Sequence, residues 1–179
     1  MPAHFATVGH SNRSLEQFLT ILREARIDMV VDVRSFPRSR SNPAFNIDQL
    51  PEDLEHVQIA YRHLPALGGR RPKQPAVDSH LNDLWRVQSF HNYADYALSD
   101  EFQAAFDELL ELGRDRRVAM MCSEAVWWRC HRRIITDYLI ANGHAVDHLM
   151  GNGRIEPARM TKGARPTPEH SVVYPAPPS

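Results

Sequence analysis

Two cysteines, Cys122 and Cys130, are all that the 179 residues contain. That is too few for a disulfide framework, and with no export signal it points to reduced thiols in a cytoplasm. No run of 18 apolar residues occurs, which excludes a membrane-spanning helix. The opening Met1-Pro2-Ala3-His4 has neither a basic start nor a long apolar stretch, so no secretory signal is expected there. An excess of one charge is also lacking. Lys plus Arg is 21 and Asp plus Glu is 22, for a net charge of −1. This excludes a globally polycationic nucleic-acid coat but leaves room for a local basic patch. What is present is the composition of a globular chain, 42% hydrophobic and 24% charged. A chain of this length buries roughly 70% of its unfolded surface and needs no disulfide or metal to fold.

Strand-like and helix-like patterns alternate. His4 to Val8 is short and β-prone, and Gly9-His10-Ser11 ends it. Ser14-Leu15-Glu16-Gln17 reads as a capping box, followed by Leu15, Phe18, Leu19, Leu22 and Ala25 at helical spacing. Met29 to Val33 is nearly continuous in apolar residues, as a parallel strand covered on both faces should be. A short helix over Asp48 to Glu55 and a third strand over Gln58 to Leu64 follow. Residues 70–88 read as a long loop, usually functional or mobile at that length. Ser99 caps a helix that Gly113 stops, Val118 to Met121 is a fourth strand, a helix runs from about Arg129 to Asn142, and Ala145 to Met150 is a fifth strand. The expected fold is therefore α/β and Rossmann-like, with a mostly parallel sheet of about five strands and helices on both faces. It fills residues 1–150 as one domain. Six of the 13 prolines fall after residue 150, so residues 151–179 are expected to form an extended, partly disordered tail.

In such sheets ligands bind beyond the carboxyl ends of the strands, and the unusual polar residues sit there. His10 and Ser11 follow the first strand. Asp32 lies inside the end of the second, with Arg34, Arg38 and Arg40 after it. Gly68 and Gly69 follow the third. Cys122, Ser123 and Glu124 follow the fourth, then Trp127, Trp128, Arg129, Cys130, His131 and Arg132. Each has a plain structural reading beside a functional one. Cys122 is either a small core residue or a thiolate nucleophile favoured by a helix N-terminus and nearby cations. Cys130 is either core or part of the binding wall. His10 and His131 either brace the scaffold or transfer protons. Asp32 needs a partner, and regular strand geometry puts Arg34 about 7 Å away. A group from a neighbouring strand, such as His10 or Arg132, is the expected partner. Arg34, Arg38 and Arg40 suit either a solvated loop or an anion site, because the guanidinium fork matches phosphate. Arg129, Arg132 and Arg133 crowd a helix start, where the dipole disfavours cations unless an anion is present. Glu124 completes the group as an acid or base. The Cys spacing is not that of a zinc knuckle, so no metal is assigned, and the cofactor is left open.

Several ordered motifs resemble one family, domain of unknown function 488: Thr7 to Ser14, Val31 to Arg40, Leu67-Gly68-Gly69 and Cys122-Ser123-Glu124 with Cys130-His131-Arg132. The resemblance covers about residues 4–149 and implies a fold and a pocket, with no settled reaction. A weaker likeness is to rhodanese and cysteine-phosphatase domains, which also place Asp-x-Arg after one strand and a cysteine at the end of another. Their compact anion loop is not matched, since Trp127 and Trp128 intervene before Arg129 and no glycine lies between Cys122 and Arg129.

Three functional expectations remain open from the residues. One is a thiol-dependent hydrolase or transferase for a phosphate-bearing nucleotide or nucleic acid. Cys122, His10, Asp32, Glu124 and His131 would carry its chemistry, and Ser11, Arg34, Arg38, Arg40, Gly68, Gly69, Cys130 and Arg132 would hold its substrate. The second is a nucleotide or nucleic-acid binding module without chemistry, whose arginines, basic loop of residues 70–73 and tryptophans would contact phosphates and stack bases. The third is a partner-binding protein that docks through its proline-rich tail. The sequence leaves the oligomeric state open.

Overall fold

The structure is a computed structural model that describes residues 4–178. Strand β1 (His4–Gly9) leads into helix α1 (Leu15–Glu24) through the capping box read from the sequence. Ser14 Oγ accepts from the Gln17 amide at 3.1 Å, and Gln17 Oε1 accepts from the Ser14 amide at 2.8 Å. Such a cap contributes about 1 kcal/mol. Then come β2 (Met29–Asp32), α2 (Leu50–Glu55), β3 (Ala60–His63), α3 (Gln88–Tyr96), α4 (Asp100–Leu112), β4 (Val118–Cys122), α5 (Arg132–Ala141) and β5 (Ala145–Gly151). The five strands pair in parallel in the order β3-β2-β4-β1-β5. The α/β, Rossmann-like expectation holds. Among the described residues, no helix is long and apolar enough to cross a membrane.

Strand alternation sorts the core into two layers. Phe5, Val31, Met120 and Cys122 face a layer built with Phe102, Phe106, Ile134, Ile135 and Tyr138, from α4 and α5. Ala6, Val8, Val30, Ala119 and Met121 face the other layer, with Phe18 and Leu22 of α1 and Leu54 of α2. Burying each large side chain contributes about 1.5–3 kcal/mol. The helices after β1 and β2 thus cover one face and those after β3 and β4 the other. The chain diverges after β1, β2 and β4, and a crevice opens beyond their ends.

Three expectations change. The segment after residue 151 is not a loose tail. It supplies a sixth strand, β6 (Arg154–Pro157), antiparallel on β5, and a small ladder of β7 (Arg165–Pro166) with β8 (Val172–Val173). Val172 and Tyr174 are fully buried, and Tyr174 Oη donates to Asp137 Oδ2 at 2.7 Å. Its prolines are spread among short pairings, so the segment carries no period to read, yet it has two anchors. Next, α3 fills the stretch between the long loop of residues 70–88 and the Ser99 cap, where the sequence pattern predicts no element. It starts at Val87 without a side-chain cap and contains Ser89, Asn92 and Asp95, weak helix formers, so packing of Tyr93, Ala94 and Tyr96 sustains it. Finally, α5 begins at Arg132 rather than near Arg129. A 3-10 turn spans Trp127–Arg129, and Cys130 is extended.

Candidate functional site

The crevice is a cavity of about 420 Å³. His10 reaches it from β1; Arg34, Ser35, Phe36 and Arg38 from the loop after β2; Gly69 and Arg70 from the loop after β3. Cys122, Ser123, Glu124, Arg129, Cys130 and His131 come from the segment after β4, and Ser89, Phe90 and Tyr93 from α3. Distant pieces of the chain therefore converge as the sequence reading requires. The sheet's hydrogen bonding continues past the strand ends, from the His10 amide to Cys122 O at 2.9 Å and from the Ser11 amide to Ser123 O at 3.0 Å. Gly9 permits this close approach, because a Cβ there would collide with Glu124 O.

Other expected site residues lie elsewhere. Asp32 is fully buried behind the wall, and its partner is Arg34 after all. β2 ends at Asp32, so regular strand spacing no longer applies. The chain turns, the Arg34 amide donates to Asp32 Oδ1 at 3.1 Å, and the guanidinium folds back onto both carboxylate oxygens at 2.9 and 2.7 Å. Tyr61 Oη donates to the same carboxylate. Arg34 also donates to Phe45 O at 2.7 Å and faces His10 Nε2 at 3.3 Å, so four of its five N–H groups are engaged. Ser11 and Gly68 are not on the wall, Arg40 is exposed outside it, and Arg132 is sealed beneath the floor. Arg38 is on the wall but holds Asp48 bidentately, at 2.7 and 3.1 Å, in an exposed pair.

The floor is a sulfur pair. Cys122 Sγ and Cys130 Sγ lie 2.8 Å apart, and both residues are buried. Arg132 Nη1 donates to Cys122 Sγ, and the Arg132 amide, in the first turn of α5, donates to Cys130 Sγ at 3.4 Å. Arg132 is entirely buried. Its other acceptors are the carbonyls of Glu124 at 2.7 Å and Ala125 at 3.3 Å, and its Nε has no partner. Among the described residues no carboxylate reaches it. An isolated buried cation is costly and a guanidinium does not deprotonate, so the thiols must supply the counter-charge. Burial opposes ionisation of the pair, but the hydrogen bond between the sulfurs and the Arg132 charge outweigh it and lower the pair's first ionisation to about 7. Burial and the charge already present push the second ionisation well up. The two sulfurs thus share one proton and one negative charge above neutral pH.

Both histidines are neutral around this pair. Burial lowers His131, whose Nε2 donates to Val33 O at 2.8 Å, leaving Nδ1 facing Cys130 Sγ at 3.5 Å as an acceptor. This is the arrangement of a thiol, a base and a group that orients the base. Gly69 makes room for it, since a Cβ there would sit 2.9 Å from His131 Nδ1. Burial likewise lowers His10, whose Nδ1 donates to Ser11 O at 2.9 Å. With Arg34 at its other nitrogen, His10 has no free lone pair for the cleft. Glu124 stands on the wall, and among the described residues only the Val126 amide, at 3.4 Å, reaches its carboxylate.

Sequence reading missed one feature, Phe36, while the basic loop it marked supplies Arg70. Phe36 is 82% exposed at the cleft. Arg70 sits at φ +59°, a region costly for a side-chain-bearing residue, and neither the Arg70 nor the Arg129 guanidinium makes an ion pair or hydrogen bond among the described residues. No cluster of three or more metal-ligating side chains occurs among the described residues.

These features define the class: a parallel α/β protein with a charged dithiol under a cation-rimmed cleft at the carboxyl edge of its sheet. Residues 14–139 match the model of Domain of unknown function DUF488, and the chain belongs to that family. The matched span includes Cys122, Cys130, His131 and Arg132, while His10 lies just before it. No curated protein and no solved structure matches the chain, and the rhodanese or phosphatase likeness is not shown.

Proposed function

We propose that this chain is a cytoplasmic, thiol-dependent enzyme for an anionic, phosphate-bearing substrate of the nucleotide class. The observation that carries this reading is Arg132, wholly buried with no carboxylate and hydrogen-bonded to a cleft-floor sulfur. A charge held this way keeps a thiolate available where a ligand can reach it. The shared thiolate of Cys122 and Cys130 is the nucleophile, and His131 exchanges the proton of Cys130. Glu124 is the carboxylate placed to take a proton from water in a hydrolytic step. Arg70 and Arg129 meet the phosphate, together with the one remaining N–H of Arg34. Phe36 offers a ring face for a base. Asp32 and His10 position Arg34 and the end of β1.

The test is turnover across nucleotides and phosphate esters by the native protein, Cys122→Ser, Cys130→Ser and His131→Gln. A loss of at least about a hundredfold in kcat is expected for each variant. A folded Cys122→Ser protein with full turnover of an identified substrate rejects the catalytic reading. The exposed ring of Phe36 and the unpaired arginines also support a second reading, a nucleotide or nucleic-acid binding module without chemistry. That reading requires binding that weakens with salt and survives Cys122→Ser.

A further inference from the structure

We infer that Cys122 and Cys130 are a site of reversible oxidation by hydroperoxides, closing to an intramolecular disulfide that switches the cleft off. The inference rests on the same shared thiolate as the proposed function, but not on any substrate. Three observations carry it. The sulfurs are 2.8 Å apart, so bonding distance is within about 0.8 Å. Both residues line the cleft, which gives a small oxidant access despite their burial. And the attacking and resolving roles are both provided: Arg132 Nη1 donates to Cys122 Sγ and holds the charge there, while Cys130 Sγ donates to Cys122 Sγ and faces His131 Nδ1, which takes its proton.

The chemistry balances in two steps. The thiolate attacks one oxygen of the hydroperoxide; an S–O bond forms, the O–O bond breaks, and the departing alkoxide takes a proton and leaves as an alcohol, or as water from hydrogen peroxide. The sulfur is oxidised by two electrons to a sulfenic acid and the peroxide is reduced by two. The second thiol, giving its proton to His131, then attacks the sulfenic sulfur. The S–S bond forms, the S–O bond breaks, and hydroxide leaves as water with the proton from His131. Overall, two thiols and one hydroperoxide give a disulfide, an alcohol and water. A thiol reductant reverses the bond by exchange.

Oxidation removes the nucleophile and the negative charge that answers Arg132 together. The oxidised cleft is therefore both inert and more cationic, and it should hold phosphate-bearing ligands without converting them.

The experiment uses the full chain, reduced and desalted, then given one equivalent of hydrogen peroxide. Free thiols should fall from two to none, the intact mass should drop by about 2 Da with no dimer, and dithiothreitol should restore both thiols. In Cys130→Ser, oxidation should stop at a sulfenic acid on Cys122 that a dimedone probe captures. Thiols that survive the peroxide, oxidation that runs to a sulfinic acid without the loss of two hydrogens, or a covalent dimer in place of the internal bond would each overturn the inference. A reduced protein that turns over no phosphate ester sinks the enzyme reading and leaves this one standing. Disulfide failure in a protein that does turn over substrate has the opposite meaning.

Discussion

Two buried arginines stand at the ends of neighbouring strands and are balanced in different ways. Arg34, after β2, has a dedicated carboxylate: Asp32 takes two of its N–H groups, and Tyr61 completes the carboxylate's hydrogen bonding. Nothing there has to titrate for the charges to cancel. Arg132, after β4, has carbonyls and a sulfur. Its balance depends on a thiol giving up a proton. The first arrangement is a brace, and the second keeps a reactive anion in place. A guanidinium alone does not distinguish them; the ionisation behaviour of its acceptor does.

The largest expected effect comes from removing each counter-charge. Asp32→Asn should cost about 3–5 kcal/mol in chemical denaturation, because Arg34 is left buried and uncompensated. Each single Cys→Ser variant should cost much less, since the other thiol still carries the charge. The double variant should cost about 3–5 kcal/mol, far more than the two single costs added together. An additive double variant would break the comparison. Next in size, Arg132→Met should abolish the thiolate at neutral pH. Iodoacetamide alkylation of the native protein should rise with pH through a midpoint at about 7. In the variant that midpoint should move up beyond the ordinary thiol range, with a rate at pH 7 lower by about a hundredfold.

An effect read as a slope against pH tests a neutral histidine. His148 lies under Trp127 with ring centroids 4.6 Å apart, and burial lowers it to about 3. Its unfolded value is near 6.5, so between pH 6.5 and 3 the unfolded chain binds the extra proton. Its contribution is full above that window and is lost as pH falls through it, at about 1.4 kcal/mol per pH unit. His148→Gln should flatten the acid limb of stability by that slope. Smallest is Arg70→Gly. It relieves the positive φ, so thermal stability should hold or rise, while affinity for a phosphate-bearing ligand falls by about tenfold in equilibrium binding. A variant that loses stability and keeps affinity would remove Arg70 from the site.

Much of the architecture was legible because each signal is local. The Ser14 box, the apolar run of β2 and the Ser99 cap depend on neighbours within a few residues. The last segment was misread because Val172 and Tyr174 find their partners in α5 and near residue 82, far away in sequence. Helix α3 was missed for the same reason, since its stability comes from packing more than from its own residues.

For the site, the sequence determined which chemistry lies at the carboxyl edge, because strand alternation and the βα order place Cys122, His131 and the arginines on one rim before any contact is known. Tertiary structure alone decided their pairing. Arg34 turned back onto Asp32 once the strand ended, and Arg132 was carried under two sulfurs with no acid in reach. Sequence fixes which groups a chain brings to its interior, but whether a buried charge meets a carboxylate or a thiol depends on distances of a few ångströms that only packing sets.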